Sequence, residues 1–128
     1  MILALALLLQ ATTDAPPPLP TDWSRLAPIP YVDAPTITAP LVKFVAGEVA
    51  AGRCAVQKPA DGHYIVRVDV AALVDQDGNL RRAVPRAIDC PTVEQYSAGL
   101  VTSFARANLN NGPTTMWYRA TLVYDWQG

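Results

Sequence analysis

From residue 38 onward the apolar positions change their period several times. Leu41, Val42, Phe44, Val45 and Val49 fall on one stripe at helical spacing. Thr38 stands where an N-cap belongs, Pro40 is tolerated in a first turn, and Gly52 suits a C-terminal cap. The period then drops to two. Tyr64, Val66, Val68 and Val70 alternate with Ile65, Arg67, Asp69 and Ala71, as in a strand with one buried face. Asp75-Gln76-Asp77-Gly78-Asn79 reads as a turn, because Gly and Asn accept positive φ. A second strand follows, with Leu80, Val84 and Ile88 as its apolar positions. Pro85 cannot donate to a ladder, so that strand is expected at an edge or with a bulge.

The helical period returns at Pro91. Thr92 and Gln95 have capping-box spacing, and Val93, Tyr96, Leu100, Phe104 and Ala107 share a face. Asn110-Asn111-Gly112-Pro113 breaks that helix. Thr114 to Trp126 is rich in β-branched and aromatic residues and reads as a long final strand. Its alternation puts Met116, Tyr118, Ala120, Leu122, Tyr124 and Trp126 on one side, and Arg119, Thr121 and Asp125 on the other. The order is helix, strand, turn, strand, helix, strand. It predicts an α+β fold: a small antiparallel sheet of about three strands with two helices packed on one face.

The N-terminal third has a different grain. Met1 to Leu9 is an apolar run too short for a bilayer, which needs about 20 residues. It has the size of a secretory h-region. The chain therefore divides into a signal peptide at 1–15, a Pro-rich linker-like segment at 16–38 and a domain at 39–128. Pro16-Pro17-Pro18-Leu19-Pro20 favours polyproline II. Trp23, Leu26, Ile29 and Tyr31 are too apolar for a solvated linker, so the segment is expected to lie partly across the domain surface. Cys54 and Cys90 are the two cysteines. In an exported protein an even count predicts a bridge, here Cys54–Cys90. The expected location is periplasmic or secreted.

Composition narrows the function classes. With 128 residues, 51% of them hydrophobic, and a formal net charge of -1, the chain suits one globular domain. Near-neutral charge speaks against nucleic acid as a partner. His63 is the single histidine, which rules out a two-histidine zinc site and makes it the one credible base for a Ser-His-Asp arrangement. It sits in the turn-like stretch 58–63, where a surface role is the plainer reading. Asp75 and Asp77 resemble the start of a calcium loop, but no glutamate closes it at the required distance. No C-x-x-C and no phosphate-binding glycine loop is present. Arg81 falls on the face opposite Arg82 and Arg86, which argues against one basic patch. The expectation is a non-enzyme with no catalytic residue, metal or cofactor. A small secreted enzyme using His63 is the weaker alternative.

From about Tyr64 to Trp126 the chain resembles the C-terminal domain of the TonB family. The resemblance rests on elements in order: the strand Val66-Arg67-Val68-Asp69-Val70, the Asp77-Gly78 turn and a second strand. The Cys90-Pro91 step follows, then the helix with Leu100 and Phe104, Gly112, and an aromatic-rich strand to Trp126. It implies a periplasmic binding module of a Gram-negative envelope, linked to TonB-dependent transport across a membrane. The implied partner is a protein or peptide, such as an outer-membrane receptor segment, added as a strand to an open sheet edge. The resemblance places that edge on the last strand and makes Met116, Tyr118, Ala120, Leu122 and Tyr124 the partner-binding residues. Two alternatives stand beside it: an edge covered by the Pro-rich segment, and a structural cell-envelope protein.

Overall fold

The computed structural model of the protein describes residues 15–128. The expected signal peptide thus lies, but for Ala15, outside the described residues. The elements are α1 (Ala39–Ala50), β1 (His63–Val74), β2 (Leu80–Pro85), α2 (Pro91–Phe104) and β3 (Met116–Gln127). They form an α+β fold whose three-stranded sheet has the order β2-β1-β3, with both pairings antiparallel.

Local chemistry accounts for most of the boundaries. α1 begins with proline in its first turn, although Thr38 makes no side-chain cap bond. It ends where Gly52 takes φ +74°, letting Gly52 N–H donate to Val49 O and Arg53 N–H to Glu48 O. β2 stops at Pro85, short of the Ile88 that its apolar pattern suggested. β2 lies at a sheet edge, as its proline predicts, and the bulge is at its other end: Leu73 pairs with Arg82 and Val74 with Leu80, which leaves Arg81 as the extra residue. Between the two strands Asp75 holds the turn: its Oδ1 accepts from the Asp77 and Asn79 N–H groups, and its Oδ2 from Arg81.

The start of α2 differs from the expected capping box. The N-cap is Cys90, and the Glu94 carboxylate accepts from the Ile88 and Cys90 N–H groups. Thr92 donates its hydroxyl to Glu48, tying α2 to α1. A Cys54–Cys90 disulfide joins the chain leaving α1 to this same helix start, and Ala55 N–H donates to Asp89 O beside it.

The two faces of the sheet are covered differently. Val66, Val68, Val70, Ala72 and Val74 of β1 and Tyr118, Ala120, Leu122 and Tyr124 of β3 face the helices. There they pack on Val45, Val93 and Val101. At the centre, the Tyr124 hydroxyl and Ser97 Oγ share a hydrogen bond of 2.8 Å, and Ser97 also donates to Val93 O. The opposite face carries a second cluster, in which Trp23, with Leu19 and Leu26 against it, packs on Ala71, Leu73 and Trp117.

The 16–38 segment is therefore part of the folded unit. Trp117 Nε1–H donates to Pro17 O, and Trp23 Nε1–H to Pro20 O, both at 2.8 Å. Arg86 lies 4.2 Å from the Trp23 ring centroid and Arg82 5.5 Å from that of Trp117. Arg82 and Arg86 thus both lie on the Trp23–Trp117 cluster, while Arg81 is bound apart from them to Asp75. Trp23→Ala is expected to lower the unfolding free energy by about 2 kcal/mol, read from a urea titration. An unchanged midpoint would mean that the segment is not held.

Candidate functional site

Which backbone groups of β3 face outward follows from its pairing. Arg119 N–H donates to Ala27 O, and Arg119 O accepts from Ile29 N–H. Both of these groups therefore point away from β1. Alternation extends the rule: Trp117, Arg119, Thr121, Val123 and Asp125 present N–H and C=O outward, while their even-numbered neighbours bond to β1.

The segment before α1 occupies only part of this edge. It runs parallel to β3 at Pro28↔Arg119 and then leaves, with Val32 N–H donating to Asn108 O and Asn110 N–H to Pro30 O. Beyond it, the outward N–H and C=O groups of Thr121, Val123 and Asp125 have no hydrogen-bond partner among the described residues. The β3 edge is thus closed at Arg119 and open from Thr121. The other sheet edge, β2, has six residues and ends in Pro85, the short, proline-bearing form that resists pairing.

Two hollows flank the open stretch on the helix side. One, of about 330 Å³, is lined by Ile29, Tyr31, Pro35, Ile37, Phe104 and Leu122, among others. Burial pushes the Tyr31 hydroxyl above its ordinary value, so it stays neutral there. The second, of about 370 Å³, lies at the far end between Val49, Val56, Tyr64 and Trp126. On the opposite face Ile65 and Val123 are exposed. The cover provided by Trp23 lies against Ala71, Leu73 and Trp117, toward the other end of the strands.

The structure places the five residues that the resemblance assigned on β3, at its inward-facing positions. Tyr118, Ala120, Leu122 and Tyr124 are buried beneath the helices, Met116 is half-buried against the same core, and all five pair with β1. The outward groups belong to Thr121, Val123 and Asp125. The side-chain alternation was readable, but the bonding side of each residue depends on where β1 lies. Only the sheet order supplies that.

His63 Nε2 bonds the Asp125 carboxylate on the exposed face, across the β1–β3 pair. Both side chains are open to solvent, and neither forms a hydrogen bond to a hydroxyl or thiol nucleophile among the described residues. Asp75 is held below its ordinary carboxylate value, first by the Asn79 N–H and then by Arg81 and the Asp77 N–H. No group of three or more His, Cys, Asp or Glu residues is placed to hold a metal among the described residues. Nor is any described helix long and apolar enough to cross a membrane.

The chain matches no known family, no curated protein and no solved structure. The site is accordingly read from its own geometry.

Proposed function

We propose that this protein is a non-catalytic binding module that takes an extended peptide as a fourth strand on the open half of β3. The observation that carries this reading is the row of unpartnered outward backbone groups at Thr121, Val123 and Asp125. An exposed ladder of alternating donors and acceptors is a template for another strand. The pairing of Ala27–Ile29 with Arg119 within the chain supports this reading. The flanking hollows would receive alternate side chains of the added strand.

The disulfide supports an oxidising compartment such as the periplasm. The order of elements along the sequence carries the resemblance to the TonB C-terminal domain, and from that resemblance alone come an outer-membrane receptor segment as the class of partner and a link to TonB-dependent transport. The structural cell-envelope reading draws on no specific feature of the site.

Val123→Pro tests the proposal. Its N–H faces away from β1, so proline there removes one donor open to an added strand without removing a ladder bond. The expected result is a loss of roughly tenfold or more in affinity for an extended receptor-derived peptide. Circular dichroism should show the variant folded. Undiminished binding by a folded variant would sink the proposal.

A further inference from the structure

The open edge has a definite end, and that end constrains what can bind. Ile29 sits in the lane beside β3 next to Ala120, and the chain swings out of the lane at Pro30. An added strand can pair with Thr121, Val123 and Asp125 but cannot continue past Arg119. A chain passing through would have to turn abruptly at Pro30, whereas a chain that terminates there meets no obstacle.

Charge then selects which terminus. Arg119 is half-buried beside this point, its side chain on the face opposite Leu122, and it has no carboxylate within ion-pair distance among the described residues. A peptide parallel to β3 would bring its N-terminal ammonium toward this guanidinium. An antiparallel peptide would bring its C-terminal carboxylate, and antiparallel pairing is also the slightly more stable form. In that register the last residue stands opposite Thr121. Its carboxylate accepts the outward Thr121 N–H, a charge-assisted bond, with Arg119 beside it. The penultimate residue stands opposite Leu122. Paired residues share a face, so its side chain points to the helix side, into the hollow lined by Tyr31, Ile37 and Phe104.

We infer that the partner presents a free C-terminus: a protein tail that pairs antiparallel with Thr121–Asp125, seats its carboxylate between Thr121 N–H and Arg119, and fills the hollow with an apolar penultimate side chain. This inference rests on strand addition at the β3 edge and specifies its polarity and partner.

The probe is the hexapeptide Thr-Thr-Val-Thr-Phe-Val, labelled at its N-terminus with fluorescein, as the free acid and as the C-terminal amide. Anisotropy is read on the full chain. The free acid is expected to bind at least about tenfold more tightly than the amide. Arg119→Gln should erase most of that difference. Replacing the penultimate Phe with Ser should weaken acid and amide alike. Equal affinity of acid and amide would overturn the C-terminal inference and leave strand addition standing. Failure of both peptides at millimolar concentration would overturn the two together. A dimer in sedimentation that Val123→Pro dissociates would assign the edge to a second copy of this chain and also overturn the inference.

Discussion

Replacing Cys54 and Cys90 with alanine is expected to lower the unfolding free energy by about 4 kcal/mol. The cysteines are 36 residues apart, and a cross-link of that span removes much of the unfolded chain's freedom. The bridge joins two neighbours that the unlinked chain would have to bring together: the exit of α1 and the start of α2. Both cysteines are buried, so their loss also opens the core slightly. For a domain of this size the melting temperature should fall by on the order of 15 °C. Reductant should reproduce the shift in the native protein and do nothing further to the double variant. An unchanged melting temperature under reduction would show that the bridge contributes nothing.

Tyr124→Ala is expected to cost about 3–5 kcal/mol. Tyr124 is fully buried and fills the space between β3 and α2. Tyr124→Phe keeps the ring and gives up one buried hydrogen bond, for about 1 kcal/mol. The contrast matters because the family resemblance made Tyr124 a partner-binding residue. If it were one, truncation would abolish binding while leaving stability intact. The structure predicts the reverse order: stability is lost first, and the Phe variant still binds.

The same residue has a pH signature. Burial raises the Tyr124 hydroxyl above its ordinary value of 10.0, against a smaller lowering by Ser97. Below the ordinary value both folded and unfolded states hold the proton, and the stability is complete. As pH rises above it, the unfolded state releases its proton first and stability declines until the folded value is passed. Tyr31 shifts the same way for the same reason. Tyrosinate absorbance should separate the two in a Tyr31→Phe background. Both hydroxyls titrating at the ordinary value would contradict their burial.

How much of this was legible in the sequence varies from element to element. The alternation in β1 and the helical stripes of α1 and α2 gave the order and class of the elements, because burial on one face imposes a period. The end of α1 was visible in Gly52, whose positive φ the cap requires. The end of β2 was misplaced because an apolar Ile88 continues the pattern, whereas the missing N–H of Pro85 ends the pairing. The α2 cap was missed because Glu94 reaches back one residue further along than the usual spacing.

The proposed edge was less legible. The resemblance pointed to β3 and to its inward-facing residues, and alternation in side chains does not say which carbonyls are bonded. The partial cover was foreshadowed by Trp23 and Ile29, which are too apolar for a free linker. Its register against Arg119, which leaves Thr121–Asp125 open, carries no local signal. It is set by where Trp23 and Trp117 pack on the far face of the sheet.

Residue-resolved amide hydrogen exchange tests the central claim most directly. In the free protein the amides of Thr121, Val123 and Asp125 should exchange rapidly, while that of Arg119, bonded to Ala27, and those of Leu122 and Tyr124, bonded to β1, are protected. Adding the free-acid hexapeptide should slow Thr121, Val123 and Asp125 selectively. Protection of these three amides in the free monomer, or binding that leaves their exchange unaltered, would contradict the account.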